Sequence, residues 1–153
     1  DINKQIVFNA KLNLSDDQKK FITDKIISQS AILKNDMASM QPWMDLGIYY
    51  KISGDYSGAA EIWKFVSEYA PQDFVSLGNL GDLYGYYLND KILSETYYKK
   101  AITVNPKMAY LYTQLSSVYK YVFKDMDKAK AIIDEGLKAN PDDPALTEFR
   151  KAL

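Results

Sequence analysis

The chain has 153 residues, 47% of them hydrophobic, and its 19 basic and 20 acidic side chains leave a formal net charge of −1. That length holds one continuous core or roughly three to four helical hairpins, and the balanced charge offers no field to draw the protein to nucleic acid or to an acidic membrane surface. Cysteine and histidine are both absent, which removes disulfides, thiolate chemistry, the commonest neutral metal ligand and every serine–histidine or cysteine–histidine mechanism; no cofactor is expected and no enzyme activity.

The chain begins at Asp1 and not at a methionine, so sequence ahead of it is an expectation, and an anchor or a signal could lie there. From Ile6 to Leu14, apolar Ile6, Phe8, Ala10, Leu12 and Leu14 alternate with Asn9, Lys11 and Asn13, a period that predicts extended chain. A lone strand cannot satisfy its backbone within helices. This leader is therefore expected to lie along the first helices, or to occupy a groove of its own molecule or a neighbour's.

Ser15-Asp16-Asp17-Gln18 has the form of a capping box, with a serine hydroxyl and a glutamine amide set to satisfy each other's backbone. Phe21, Ile22, Ile26, Ile27, Ala31, Ile32 and Leu33 follow as an apolar stripe, so a packing helix is predicted from Ser15 to about Lys34.

Three helical hairpins come next, and they repeat. Turns at Gly54-Asp55, Asn89-Asp90 and Lys124-Asp125 are 35 residues apart, and each is followed 16 residues after its aspartate by a proline: Pro71, Pro106 and Pro141. Between turn and proline, the small residues Ala59, Ser94 and Ala129 precede the bulky Trp63, Tyr98 and Ile133 by four positions, with Ser67, Ile102 and Leu137 four further on. Four-residue spacing places each set on one helix face, where the small residue permits close approach and the large one fills the space beside it. The column Val66, Ala101 and Gly136 is mostly small, as suits a helix backed by another hairpin.

The first helix of the first hairpin reads Trp43-x-x-Leu46-Gly47-x-x-Tyr50. With Ala59, Trp63 and Pro71 this resembles the tetratricopeptide repeat signature. The second hairpin keeps Leu77, Leu80, Gly81 and Tyr84, and the third Tyr112, Leu115, Ser116 and Tyr119, preserving size class throughout. The resemblance covers about Gln41 to Pro141 and implies an all-α fold, a right-handed superhelical array of antiparallel helix hairpins. The second and third hairpins are 35 residues long where the family repeat is usually about 34. The extra residue lies ahead of the turn, so their first helices are expected to end one residue later or to carry a local bulge, with Asn89 as the left-handed stop in place of Gly54.

Beyond Pro141, Asp143 and Pro144 start a last helix in which Leu146, Phe149 and Leu153 share a face, the sealing element that a repeat array needs. The expected organisation is a leader and packing helix over 1–40, repeats over 41–71, 72–106 and 107–141, and a cap over 142–153.

In the family resembled, the first helices line a concave face that grips an extended peptide or a helix. The resemblance therefore implies a candidate groove of Met44, Ile48 and Lys51, of Asn79, Asp82 and Tyr86, and of Tyr110, Thr113, Gln114, Ser117, Lys120 and Tyr121. Gln41, Ile52 and Val75 flank it. Amide and hydroxyl donors beside apolar and aromatic surface suit main-chain recognition of an extended segment; the two-lysine, two-asparagine and arginine clamp of some family members is absent, since only Asn79 matches it. Among the 13 tyrosines, Tyr50, Tyr84, Tyr112, Tyr119 and Tyr98 read as packing residues and Tyr69 as the cover of a hairpin edge. Tyr86, Tyr110 and Tyr121 read as aromatic anchors with a polar tip. Asp16-Asp17 and Asp142-Asp143 read as helix-start electrostatics and a cap, Asp45 and Asp82 as solvated carboxylates, and Gly78, Gly81 and Gly85 as marks of close packing on one helix.

The expected function is a non-catalytic protein-interaction scaffold whose partner is a protein or peptide; nucleic acid and direct membrane insertion are not expected. The alternative is a structural, self-associating module, the soluble part of a membrane-anchored bacterial protein on either side of its membrane.

Overall fold

The computed structural model describes residues 5–153, and every regular element among them is helical. The chain forms two compact units, Asp1–Ala70 and Pro71–Leu153; the leader's first four residues lie outside the described ones.

In the first unit the leader is not extended throughout. Ala10–Leu12 is a 3₁₀ turn: the Asn9 side chain accepts from the Lys11 amide at 3.0 Å, and Asn13 stops the turn in a left-handed conformation, φ 47°. The alternating asparagines that gave the sequence its strand-like period are cap and stop. The leader does lie against a helix end, since the Asn9 amide donates to the Ser53 carbonyl at 2.9 Å.

Helix α1 spans Asp16–Asn35 and opens on the expected capping box, with Gln18 N–H to Ser15 Oγ at 3.2 Å and Ser15 N–H to Gln18 Oε1 at 2.8 Å. Only Ile22, Ile26, Ser30 and Leu33 of α1 are buried; Phe21, Ile27 and Ile32, expected in the packing stripe, are exposed. The buried set advances by four, four and three residues, the narrow stripe by which one helix seats on one neighbour, here α2.

Helices α2 (Met40–Ser53) and α3 (Tyr56–Tyr69) form the first hairpin. The Trp63 ring lies so close to Gly47 that a Cβ there would stand 2.1 Å from its Nε1, which is why this position is glycine. Gly54 ends α2 at φ 87°, and a Cβ on it would meet the Asn9 Cβ at 2.3 Å. Glycine is required there twice over, by its own dihedral and by the leader packed on it.

The second unit holds two hairpins and the final helix. Helix α4 (Phe74–Asp82) pairs with α5 (Lys91–Val104), α6 (Ala109–Ser117) with α7 (Met126–Ala139), and α8 (Pro144–Lys151) packs on α6 and α7. Aspartates cap α4, α5, α7 and α8: Asp73, Asp90, Asp125 and Asp143 each accept from a backbone amide three residues on. Leu77, Tyr98, Leu111, Tyr112, Leu115, Tyr119, Ile133 and Leu146 belong to one buried cluster, with Phe149 and Leu153 packed at its edge.

The extra residue of the longer repeats is a bulge. Leu83–Tyr87 continues α4, and Val118–Val122 continues α6, as single π turns closed by Leu88 N–H to Leu83 O and Phe123 N–H to Val118 O, both 3.0 Å. Each then ends on a left-handed residue that is not glycine, Asn89 at φ 52° and Lys124 at φ 55°. The Asp90 and Asp125 amides reach back to the Tyr84 and Tyr119 carbonyls at 2.8 Å. Asn89 is the expected stop; Lys124 is the same stop made by an unsuited residue.

Candidate binding surface on the second unit

Of the sequence-derived groove residues, Met44, Ile48 and Lys51 stand on α2 in the first unit: Ile48 is exposed, Met44 and Lys51 half-buried. The other nine lie on α4, α6 and the two π turns of the second unit. The two helices lie close together, for a Cβ on Gly78 would meet Leu111 Cδ2 at 3.3 Å. The expectation of close packing at Gly78, Gly81 and Gly85 holds, although Gly85 lies in the π turn, beside Ser94 and Val118.

Asp82 is the last residue of α4 and half-buried. Its carboxylate accepts a short hydrogen bond from the Tyr98 hydroxyl. Tyr98 is 1% exposed, its ring in the core and its polar tip at the surface carboxylate. Burial, then the charge of Asp82, drives the Tyr98 phenol far above the ordinary tyrosine value, so its proton stays on and the hydroxyl is a permanent donor. Burial, then Asp82, likewise raises Tyr86 and Tyr110, and Tyr86 also feels Tyr121 and Tyr110. Asp82, Tyr86, Tyr98 and Tyr110 thus form one electrostatic neighbourhood, with Tyr121 at its edge beside Tyr86. The carboxylate read as solvated is anchored instead. Tyr98, read as packing alone, also holds the Asp82 carboxylate. The signal for it was a tyrosine where the sister hairpins have Trp63 and Ile133, since a buried phenol must find a partner.

Tyr86, Tyr110 and Tyr121 are 43%, 57% and 58% exposed, too much for core residues. Tyr86 and Tyr121 occupy the same place in the two π turns, and the turn re-aims them relative to a regular helix. Two of the supposed donors are already used: Thr113 Oγ1 donates to the Tyr110 carbonyl and Ser117 Oγ to the Thr113 carbonyl, both at 2.9 Å. Short hydroxyl side chains in a helix readily bond back to the preceding turn. Lys120 lies 5.2 Å from the centre of the Tyr121 ring and donates to the Ala152 carbonyl at 3.4 Å. Among the described residues, no intramolecular hydrogen bond engages the side-chain amides of Asn79 and Gln114, both half-buried.

A second feature lies in the first unit, an open, almost wholly apolar pocket of about 400 Å³ lined by Leu14, Asp17, Gln18, Phe21, Ile22 and Ile52. Among the described residues no cluster of acidic side chains is suited to a metal, and no helix is long and apolar enough to cross a membrane.

Comparison with known proteins agrees with the repeat. Residues 75–108 match the tetratricopeptide repeat family. Among solved structures, the crystal structure of MamA superposes with a TM-score of 0.65 at 20% identity, covering 90% of this chain and 81% of that one. No curated protein matches. The fold is the tetratricopeptide helical-hairpin fold, and repeats of this kind are in general non-catalytic protein-interaction modules.

Proposed function

We propose that this chain, which carries a tetratricopeptide repeat and folds as tetratricopeptide hairpins, holds an extended segment of a partner protein across α4, α6 and their π turns. One observation carries the reading: Tyr86, Tyr110 and Tyr121 stand exposed beside the unengaged amides of Asn79 and Gln114. Tyrosine supplies large, stiff contact area with a polar tip, and side-chain amides offer the donor and acceptor pair that a peptide backbone needs.

Tyr86→Ala and Asn79→Ala test it. Each variant is expected to weaken partner capture at least tenfold with helicity and melting nearly unchanged. Normal capture by both would move the site elsewhere.

Self-association is a second reading, and α1 favours it. Phe21, Ile27 and Ile32 are 54%, 58% and 44% exposed on the flanks of the buried stripe, and Met37 just beyond the helix is 60% exposed. Light scattering of the chain against an Ile27→Lys, Ile32→Lys variant decides it, because a monomer in both cases would remove the reading.

A further inference from the structure

We propose that the surface around Asp82 is selective for a positively charged side chain, arginine ahead of lysine, at one fixed place in the bound segment. The inference rests on the peptide-holding reading above and names the chemistry of the segment.

Charge leads to it. Along α4, α6 and the π turns that extend them, residues 74–87 and 109–122, the charged side chains are Asp82 and Lys120. Lys120 is occupied with Tyr121 and the Ala152 carbonyl. Asp82 has no ion pair among the described residues; its recorded partner is the neutral Tyr98 hydroxyl. A half-buried carboxylate held by one neutral donor has lone pairs left for a further donor.

The aromatic surroundings suit the same ligand. Tyr86 follows Asp82 by four residues, and Tyr110 stands on α6, which packs close to α4 at Gly78 and Leu111. Both rings are exposed, and none of the ring contacts among the described residues occupies them. An aromatic face attracts a cation, and a guanidinium can both stack on a ring and fork onto a carboxylate. An acidic side chain would be repelled by Asp82, and an apolar one would leave the carboxylate further desolvated without a partner.

The site is single, which sets the register. The position matching Asp82 is Ile48 in the first hairpin and Ser117 in the third, where the hydroxyl is tied to Thr113. One charged place among otherwise neutral ones reads one residue of the segment.

Random twelve-residue peptides displayed on phage, selected on the full chain, supply the probe. The best binder is then made with its basic residue as arginine, as lysine and as citrulline, which keeps the shape of arginine without the charge. Expected are enriched sequences sharing one basic residue, a loss of tenfold or more on changing arginine to citrulline, and no such discrimination by Asp82→Asn. That variant keeps an acceptor for Tyr98, and its circular dichroism shows whether it folds; Tyr110→Ala, at an exposed position, is expected to lose about three- to tenfold of the arginine preference independently. Enriched peptides without a shared basic residue, or folded variants that still discriminate as the parent does, overturn the inference while leaving the peptide-holding reading in place. If no peptide is enriched, the peptide-holding reading falls, and this inference with it.

Discussion

Ser94 donates its hydroxyl proton to the Gly81 carbonyl at 2.7 Å, across the buried seam between α4 and α5. In the next hairpin Ser116, which matches Gly81, donates at 2.8 Å to the carbonyl of Ala129, which matches Ser94. The same bridge is built from opposite sides of the seam. In each case the place opposite the serine holds a residue no larger than alanine, so the helices approach closely enough for a side chain to reach across. Ser94→Ala and Ser116→Ala are each expected to cost about 1 kcal/mol, read as a lower urea midpoint at constant slope. A changed slope would mean that the hairpin, not the bond, had altered.

Gly81→Ala tests the closeness itself. The added Cβ would stand 2.5 Å from Tyr98 Cδ2, in a ring that is itself buried. Alanine gains about 1 kcal/mol in helix propensity, and the clash costs about 1–3 kcal/mol, so net destabilisation is expected. Because the ring must shift, the Tyr98 hydroxyl should part from Asp82; unperturbed tyrosine absorbance and ring resonances would contradict this.

Left-handed residues give a prediction of opposite sign. Lys124 holds φ 55° with a full side chain, whereas Asn89 at φ 52° is of a type that tolerates the region. Lys124→Gly should stabilise the protein by up to about 1 kcal/mol and Asn89→Gly by less. Gly54→Ala, against φ 87° and the Asn9 contact, should destabilise it by more than 1 kcal/mol, to the order of 2 kcal/mol. Thermal melts of the three variants suffice, and a stabilised Gly54→Ala would refute the account of that turn.

Glu95 makes part of the stability acid-sensitive. Burial works against its charged form, but hydrogen bonds from Lys99 and Lys128, with their charges, outweigh it and hold the carboxyl at about 2 instead of 4.5. A depressed folded-state value means that the folded chain binds fewer protons than the unfolded one. The contribution is therefore complete above about pH 4.5 and is lost as pH falls toward 2. Denaturant titrations over that window should slope less steeply for Glu95→Gln. Equal slopes would show that other carboxylates carry the acid response.

At the chain's end, Leu146 is the fully buried residue of α8, while Arg150 forks onto Asp134 at 2.6 and 3.2 Å on the surface. Leu146→Ala is expected to cost about 2–4 kcal/mol, and Arg150→Ala much less, with an effect that fades in high salt. Amide hydrogen exchange should report the loss first in α8. Larger damage from Arg150→Ala would invert the assignment.

Much of this architecture was legible because turn and packing chemistry are local. The Asp55, Asp90 and Asp125 turns with their prolines marked the hairpins, and Ser15 with Gln18 marked the start of α1. What was hidden depended on where a flexible or amphipathic side chain ends. Thr113 and Ser117 looked like free donors until their rotamers turned them onto their own helix. Tyr98 looked like core until its hydroxyl met Asp82. Phe21, Ile27 and Ile32 fit a helical stripe, yet one neighbouring helix covers only its centre. Asn9 and Asn13 looked like the polar half of a strand because cap and stop chemistry shares residue types with alternation.

The two π turns also make residues 72–106 and 107–141 interchangeable parts in a way that 41–71 is not. Each carries its own surplus residue inside the first helix, ahead of the turn. An extra copy of either block spliced at Pro106 would keep every downstream side chain facing as before, and would present another aromatic at the place of Tyr86 and Tyr121. Excising one residue from either swelling would instead remove the π turn and return that first helix to the length of α2, with its aromatic no longer re-aimed. For anyone lengthening this protein, the safe increment is the swollen block, and the first hairpin is the one to leave uncopied.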